Sequence, residues 1–151
     1  MRYNLAIIGG GPAGYTAAAK ASKAGMTVVL FEKDTVGGTC LNVGCIPTKT
    51  LLYSAKQYHN ALVADKYGVT ADNVSFDWLK IQQRKTKIVR KLVAGVKQQV
   101  RDCTIVNGEA TVSAYSEEEI IITCGEATYT AENLLISTGS QNFVPPITGV
   151  D

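Results

Sequence analysis

Two cysteines that lie close together in the sequence are the strongest candidates for chemistry. Cys40 and Cys45 are five positions apart in the segment GGTCLNVGCIPTK, residues 37–49. In a regular α-helix the Cα atoms of residues i and i+5 are about 8.6 Å apart, which exceeds the span of a disulfide. Gly44 and Pro47 permit a departure from regular helix that would bring the two sulfurs together. Because a strained, partly exposed disulfide is readily reduced, this segment predicts a redox-active cysteine pair.

The surroundings of this pair favour an ionised thiol. A helix is predicted to begin near Pro47, which places Cys45 close to a helix N-terminus, where the dipole and free N–H groups stabilise a thiolate. Lys49, one turn after Cys45, adds positive charge on the same face. Two other interpretations stay open at this point: a pair of reduced buried thiols, and half of a metal site. No second Cys/His pair at metal-ligand spacing accompanies the two cysteines, so we expect no metal. Cys103 and Cys124 are predicted to be small buried residues.

A glycine-rich turn near the N-terminus is the second candidate site. Gly9, Gly11 and Gly14 form the pattern GxGxxG, which here follows a predicted strand and opens a predicted helix. Such glycines make a tight turn, let the backbone approach a pyrophosphate, and allow close helix packing, while the helix N-terminus binds the phosphates. Glu32 ends the next predicted strand, where a carboxylate can accept hydrogen bonds from ribose hydroxyls. The alternative is a purely structural turn with a surface acid, and the spacing alone does not choose NAD over FAD.

The elements around the glycine turn form a βαβ pattern. Apolar runs at residues 4–8 and 26–31 predict two strands, and the alanine-rich stretch 15–24 between them predicts a helix that ends at Gly25. A connection of this kind joins parallel neighbouring strands, almost always with right-handed chirality.

Two further helices and a β-rich segment follow. Residues 47–64 predict an amphipathic helix, and Asp77 is the predicted N-cap of a longer helix reaching residue 100. The predicted buried positions of the two helices are Leu51, Leu52, Ala55, Tyr58 and Leu62, and Trp78, Ile81, Ile88, Leu92, Val96 and Val100. Strands at residues 104–106, 110–113, 120–123, 127–130 and 134–137 predict an antiparallel meander whose last segment returns to the main sheet. Residues 144–149 resemble a linker.

Together these elements predict an α/β fold: one Rossmann-like, dinucleotide-binding domain over residues 1–151, with a parallel sheet, covering helices and a small antiparallel β-meander. The composition, with 46% hydrophobic and 19% charged residues and a net charge of +2, is that of a globular protein and implies neither nucleic acid nor membrane as a partner. The apolar start, residues 5–8, is too short for a signal or spanning segment, so we expect a cytoplasmic protein.

The longer predicted helix carries eight of the fifteen basic residues once Arg101 is included. A nucleic-acid-binding helix is one interpretation, but no aromatic residues interleave with these charges, so a solvated helix surface is the favoured interpretation. His59, the only histidine, has no acidic partner nearby in sequence and is predicted to be a surface or packing residue.

The motifs taken together are similar to those of the pyridine nucleotide–disulfide oxidoreductases. The resemblance is carried by GGGPAG at 9–14, Glu32, GGTCLNVGCIPTK at 37–49, NGEA at 107–110 and STGS at 137–140, and it extends along the whole chain. The sequence CLNVGCIPTK is most similar to that of the dihydrolipoamide dehydrogenase branch of that family. A related NAD(P)H-dependent disulfide or mercuric reductase, and a plain dinucleotide-binding module, are the alternatives.

The resemblance implies a role for each matching residue. Cys40 resembles the interchange thiol that reacts with the dithiol substrate, Cys45 the charge-transfer thiol beside the flavin, and Lys49 a residue that tunes the flavin. Ala110 would meet the adenine through its backbone. The implied FAD-binding residues are Gly9, Gly11, Pro12, Ala13, Gly14, Glu32, Lys33, Gly38, Thr39, Cys40, Lys49, Ala110, Thr138, Gly139 and Ser140.

The resemblance also implies partners and missing parts. Dihydrolipoamide, carried on a lipoyl domain of a 2-oxoacid dehydrogenase or glycine cleavage complex, would be the substrate, NAD the final acceptor, and a homodimer the assembly. The sequence contains no second GxGxxG for NAD and no C-terminal His and Glu pair. We therefore expect a piece of a longer enzyme, lacking the NAD-binding and dimer-interface domains and inactive by itself.

Overall fold

The fold is built on a single six-stranded sheet with both parallel and antiparallel strand pairs. The structure is a computed structural model that describes residues 2–149. Its elements, in chain order, are β1 (Arg2–Ile8), α1 (Pro12–Lys23), β2 (Val28–Glu32), α2 (Gly38–Asn42), α3 (Cys45–Leu62), a 3-10 turn (Ala64–Tyr67), α4 (Trp78–Gln99), β3 (Thr104–Asn107), β4 (Ala110–Tyr115), β5 (Ile120–Cys124) and β6 (Ala127–Ile136). The strand order across the sheet is β3-β2-β1-β6-β5-β4.

The predicted βαβ unit is confirmed. Strand β1 pairs in parallel with β2, with Leu5 opposite Val28 and Ile8 opposite Phe31. Helix α1 lies between them in sequence and begins with Pro12, where the missing N–H costs nothing because the first turn of a helix has no intrahelical acceptor for it. The α/β class with a parallel sheet follows from this unit.

Two details of the predicted meander are wrong. Strand β3 is not part of it, because β3 pairs in parallel with β2 at the edge of the main sheet. The segments expected at 127–130 and 134–137 form a single strand, β6, which pairs antiparallel with β5 and in parallel with β1. One long strand therefore serves both the meander and the parallel sheet, and the meander itself is β4-β5-β6.

Alternating side chains of the inner strands build two hydrophobic clusters, one on each face of the sheet. Val28 and Leu30 point to the cluster formed with α1 and α4, whereas Val29 and Phe31 point to the cluster formed with β5 and β6. The Phe31 ring packs edge-on against Tyr129, with ring centroids 5.1 Å apart. A strand buried on both faces has to be continuously apolar, which explains why residues 28–31 show no alternation in the sequence.

The faces expected for α3 and α4 are partly wrong. Leu52 and Leu62 of α3 and Trp78 of α4 are 62%, 52% and 55% exposed, because α3 packs mainly on α4 and α2 and not on the sheet. The buried side of α4 is formed at its C-terminal half by Val96 and, just beyond the helix, Val100. Asp77 is the predicted N-cap, and its carboxylate accepts a hydrogen bond from the Lys80 backbone N–H at 3.0 Å. Among residues 2–149, no helix is both long and apolar enough to cross a membrane.

Candidate dinucleotide and dithiol site

The glycine turn is packed backbone against backbone at the carboxyl end of β1. Gly9 has φ of 104°, a conformation that residues with a Cβ rarely adopt, and its N–H donates to the Phe31 carbonyl at 2.9 Å. A Cβ on Gly9 would collide with the Ser137 carbonyl, and a Cβ on Gly14 would collide with the Gly9 carbonyl. Any larger residue at either position would therefore push α1 or β6 away from β1.

The N-terminus of α1 has the features of an anion site. Its N-cap is Gly11, which offers no side-chain hydrogen bond to the first turn, and Pro12 and Ala13 are exposed at the start of the helix. The backbone N–H groups of the first turn have no intrahelical acceptors, so a phosphate can satisfy them. The residues present at this turn fit the pyrophosphate of a dinucleotide.

Glu32 is held at the end of β2 by backbone donors. Its Oε2 accepts from the Gly10 N–H at 2.7 Å, and its Oε1 accepts from the Asp34 N–H at 2.9 Å. Each carboxylate oxygen can accept a further hydrogen bond, so the side chain keeps capacity for the hydroxyl groups of a ribose. A Cβ on Gly10 would lie 3.0 Å from Oε2, which makes Gly10, the second glycine of the GGGPAG run, part of the site.

A cavity of about 150 Å³ opens beside Glu32. All of its walls lie at the carboxyl ends of strands or in the turn between β3 and β4, as expected for ligand sites of α/β sheets. At its mouth the Lys33 Nζ is 3.8 Å from Glu109 Oε1, an exposed ion pair. The lining residues are Ile8, Gly9, Phe31, Glu32, Lys33, Gly108, Glu109, Ala110 and Thr138. We call this cavity, with Glu32, the adenosine end of the site.

Five of the fifteen predicted cofactor-binding residues line this cavity, namely Gly9, Glu32, Lys33, Ala110 and Thr138. Eight others lie at the start of α1 (Gly11, Pro12, Ala13 and Gly14) or on α2 and α3 (Gly38, Thr39, Cys40 and Lys49). Gly139 and Ser140 follow β6 as exposed residues and do not line the cavity.

Helix α2 joins the glycine turn to the cysteines. The Gly37 N–H donates to the Gly10 carbonyl at 2.8 Å. A Cβ on Gly38 would be 2.7 Å from the Gly11 Cα, so the two backbones touch there. Thr39 and Cys40 follow within the same five-residue helix. The segment that carries Cys40 is therefore in direct contact with the predicted phosphate turn.

Asn42 holds this short helix in place. Its side-chain Nδ2 donates to three carbonyl oxygens, those of Thr35 at 3.1 Å, Val36 at 3.3 Å and Gly38 at 3.1 Å. A helix of one turn has few internal hydrogen bonds, so side-chain bonds of this kind determine its position. Sequence reasoning missed Asn42 even though it lies between the two cysteines.

The two cysteines meet across a break between helices. Helix α2 ends at Asn42 and α3 begins at Cys45, two residues earlier than the predicted start at Pro47. A Cβ on Gly44 would be 2.9 Å from the Thr39 carbonyl oxygen, so only glycine lets the chain pass this close. The expectation that Gly44 permits a departure from regular helix is confirmed.

Both thiols are free in the structure, Cys40 half-buried and Cys45 exposed. A hydrogen bond between the two side chains, together with desolvation and the Coulomb effect of Cys45, raises the pKa of the Cys40 thiol above its usual 9.0, while the nearby Lys49 acts in the opposite direction with a smaller effect. We call this pair, with Lys49, the dithiol end of the site. Two neighbouring thiols become a disulfide by the loss of two electrons and two protons.

The remaining candidates lie elsewhere. Cys124 is buried, as expected, and Cys103 is half-buried with its Sγ 3.6 Å from the Ala18 carbonyl oxygen. Desolvation raises the pKa of Cys103. His59 is an exposed residue of the last turn of α3, as predicted. Over the range 2–149 no group of three or more His, Cys, Asp or Glu side chains is arranged to hold a metal ion.

A comparison with protein families decides which group of enzymes shares this arrangement. The family described as pyridine nucleotide-disulphide oxidoreductase matches residues 3–151. The chain belongs to this family. The family predicted from the glycine, glutamate and cysteine motifs is thereby confirmed.

Two relatives within the pyridine nucleotide-disulphide oxidoreductases share the name dihydrolipoyl dehydrogenase. The dihydrolipoyl dehydrogenase of Acholeplasma laidlawii is 44% identical over 151 residues, which cover 98% of this chain and 44% of that protein. A dihydrolipoyl dehydrogenase of Bacillus subtilis (strain 168) is 41% identical over 142 residues, which cover 93% of this chain and 30% of that protein. The chain thus spans less than half the length of these relatives.

Solved structures of this family agree with the fold. The Cu(II) complex of the HOCl-induced flavoprotein disulfide reductase RclA from Escherichia coli superposes with a TM-score of 0.76 at 31% identity, covering 99% of this chain and 31% of that one. The Rossmann-like class predicted from the sequence is confirmed by this likeness.

Three residues of this family member were missed by sequence reasoning. Gly10 and Asn42 lie inside the quoted motifs. The signals that could have identified them were the additional glycine between Gly9 and Gly11 and the side-chain amide between the two cysteines. Ser137 donates through Oγ to the Gly9 carbonyl at 2.8 Å and so joins β6 to the glycine turn. No sequence pattern links residues 128 positions apart, so only the fold could reveal this contact.

Proposed function

We propose that this chain is the FAD-binding, dithiol-bearing portion of a flavoenzyme that oxidises dihydrolipoamide with NAD as the final acceptor. The observation that carries the proposal is the placement of Cys40 and Cys45 on either side of the break at Gly44, with Cys40 on a helix whose Gly38 backbone touches the glycine turn at Gly11. A plain dinucleotide-binding module gives no reason for two cysteines so close to that turn. The names of the relatives from Acholeplasma laidlawii and Bacillus subtilis support dihydrolipoamide as substrate.

In this proposal the chain holds FAD along the carboxyl edge of the sheet. Backbone N–H groups at the start of α1 bind the pyrophosphate, and the Glu32 carboxylate accepts hydrogen bonds from the ribose. The cavity beside Ala110 would hold the adenine. FAD bound in this way would supply the acceptor for the pair of electrons that the reduced dithiol releases. The residues assigned to FAD are those named from the resemblance, with Gly10 added and Gly139 and Ser140 the least supported.

The chemistry of the chain itself is thiol–disulfide exchange. One substrate thiolate attacks the Cys40 sulfur of the Cys40–Cys45 disulfide, forming a mixed disulfide and releasing Cys45 as a thiolate. The second substrate thiol loses its proton and displaces Cys40, which closes the substrate disulfide. The substrate has then lost two electrons and two protons, and the two cysteines have gained the electrons.

Local charges suit this exchange. Cys45 lies at the first position of α3, where free N–H groups stabilise the thiolate that leaves. Lys49, exposed one turn later, adds a positive charge that favours negative charge on the Cys40 sulfur. Cys40 has a raised pKa, so after it is displaced from the mixed disulfide as a thiolate it takes up a proton near neutral pH.

The wider partners of the enzyme are part of the same proposal. Dihydrolipoamide reaches the site on a lipoyl domain of a 2-oxoacid dehydrogenase or glycine cleavage complex, and the full-length enzyme acts as a homodimer.

The test uses the full-length protein that contains this chain. We expect dihydrolipoamide-dependent reduction of NAD, its loss in Cys40→Ser and Cys45→Ser, and a long-wavelength flavin–thiolate band that survives Cys40→Ser but not Cys45→Ser. A band that is lost only with Cys40→Ser would show that the two roles are reversed. Full activity in both serine variants would rule out the dithiol mechanism.

A related disulfide reductase is the second candidate function. It is favoured by the likeness to RclA, a flavoprotein disulfide reductase. The same preparation should be compared for NAD reduction by dihydrolipoamide and for NAD(P)H oxidation by small disulfides or mercuric ion. A kcat/KM higher in the second set of assays would favour the reductase.

A further inference from the structure

Helix α4 concentrates positive charge. Its 22 residues include seven Lys or Arg and no Asp or Glu. The chain has fifteen basic and thirteen acidic residues in total, so eight basic and thirteen acidic residues remain outside α4, a net charge of −5. Helices that merely face solvent commonly carry both signs, because oppositely charged pairs at i and i+4 stabilise them and like charges destabilise them. The charge of α4 therefore has a cost in stability.

Four of these cations share one exposed side of α4. The last three follow the first by three, four and ten positions, and within residues 2–149 none of the four forms an ion pair. They are Lys87, Arg90, Lys91 and Lys97, and we call them the cationic face. The other three have partners: Lys80 pairs with Asp77 at 3.5 Å, Arg84 donates to the Thr50 carbonyl at 3.2 Å, and Lys85 donates to Gln82 at 2.7 Å.

Helix α4 lies beside the dithiol end. Leu41 follows Cys40 directly and Ile46 follows Cys45, and both pack in the same hydrophobic cluster as Val93 and Val96 of α4. The buried side of the helix that carries the cationic face therefore supports the segments that hold both cysteines.

The surface of α4 next to these cations is open and mixed in character. It combines amide and hydroxyl side chains with the 71% exposed Leu79, and it includes two members of the cationic face. The residues of this surface are Leu79, Gln82, Gln83, Thr86, Lys87 and Arg90. Such a mixture of apolar, amide and cationic groups suits a protein surface.

We propose that the cationic face docks an acidic protein domain, the carrier that presents the dithiol substrate to Cys40 and Cys45. This inference rests on the proposed function. Dihydrolipoamide itself has no charge, so four cations spread over about 15 Å of helix contribute nothing to binding the small molecule. They can attract an acidic carrier, and complementary charge raises association rates by about 10- to 1,000-fold at low salt.

A nucleic acid is the less favoured occupant. Proteins that bind single strands combine cations with aromatic side chains on which bases stack, and α4 has no aromatic residue beyond Trp78 at its first position. A helix that reads duplex DNA needs side chains suited to base edges, whereas the residues between these cations are mostly aliphatic.

The test compares two substrates and two charge-reversed variants of the full-length enzyme. Lys87→Glu, Arg90→Glu and Lys97→Glu are combined in one variant. The matched control combines Lys20→Glu, Lys23→Glu and Lys66→Glu, three exposed cations away from α4. Each protein is assayed with free dihydrolipoamide and with a purified, reduced lipoyl domain of net negative charge.

We expect the α4 variant to lose at least tenfold in kcat/KM toward the lipoyl domain at low salt, with its activity on free dihydrolipoamide unchanged and the control unchanged on both. The loss should shrink as salt rises above about 0.1 M, where the Debye length falls to about 10 Å. Equal losses on both substrates would mean that the face is covered within the enzyme itself, which overturns the proposal.

Two other results would also overturn it. Unchanged lipoyl-domain kinetics, combined with a loss of DNA binding in a mobility-shift assay, would assign the face to nucleic acid. A wild-type enzyme inactive toward free dihydrolipoamide would instead refute the proposed function, and the docking proposal with it.

Discussion

The adenosine end and the dithiol end of the site are positioned by different kinds of contact. At the adenosine end, strand ends that are far apart in sequence meet, and Glu32 is held by the backbone of Gly10. At the dithiol end, a one-turn helix and a break at Gly44 place Cys40 against Cys45 within six residues of chain. Damage to the first should therefore disturb the fold, and damage to the second should disturb mainly the chemistry.

The largest expected effect tests the adenosine end. Gly14→Ala should lower the free energy of unfolding by about 3 kcal/mol or more, because the new Cβ would overlap the Gly9 carbonyl and force α1 away from β1. Chemical denaturation measures this. Gly95→Ala is the matched control, with no atom within 4 Å of the new Cβ, and should stabilise the protein by about 0.5–1 kcal/mol. Equal effects of the two substitutions would show that the close packing at Gly14 is unimportant.

A smaller loss is expected at the dithiol end. Asn42→Asp removes both N–H donors and turns a carboxylate toward the carbonyls of Thr35, Val36 and Gly38, so we expect a loss of about 2 kcal/mol and slower formation of the Cys40–Cys45 disulfide. Disulfide formation is followed in glutathione redox buffers, alongside denaturation. Asn142→Asp, at an exposed residue outside regular structure, should change neither. Unaltered disulfide formation in Asn42→Asp would remove Asn42 from the site.

A third prediction concerns pH. The Cys40 thiol has a pKa raised above 9.0, chiefly by its hydrogen bond with Cys45, so in Cys45→Ala this pKa should fall and alkylation of Cys40 at pH 8 should become faster. Peptide mass spectrometry reports the alkylated fraction against pH. A raised acid pKa favours the protonated folded state, so this contribution to stability is complete below pH 9 and is lost as pH rises through the folded-state pKa. An alkylation profile that is the same in wild type and variant would contradict the thiol–thiol contact.

The smallest effect is expected at the rim of the adenosine end. Lys33→Ala breaks only the exposed 3.8 Å pair with Glu109, which should cost less than about 1 kcal/mol of stability. Thermal denaturation at low and high salt measures it. A loss above about 2 kcal/mol would show that this rim supports the fold and not only the cavity mouth.

Sequence patterns predicted the local elements well, but they predicted the buried faces of the helices poorly. The βαβ unit, the Asp77 cap and the break near Gly44 were all predicted, because each depends on residues a few positions apart. The buried faces of α3 and α4 were partly wrong, because burial depends on what each helix packs against. Trp78 and Leu92 match the helical period, yet both are exposed in the structure.

The sequence by itself determined the chemistry that is available: two cysteines at a helix start, glycines around a strand end, and a carboxylate after the next strand. Those features follow from residue type and short spacing, which the chain encodes directly. Only the tertiary structure decided that β6 brings Ser137 onto the glycine turn and Thr138 to the cavity, and that β3 and not the meander flanks β2. Pairings between distant segments depend on the burial of both faces of one shared sheet, and no single segment encodes that.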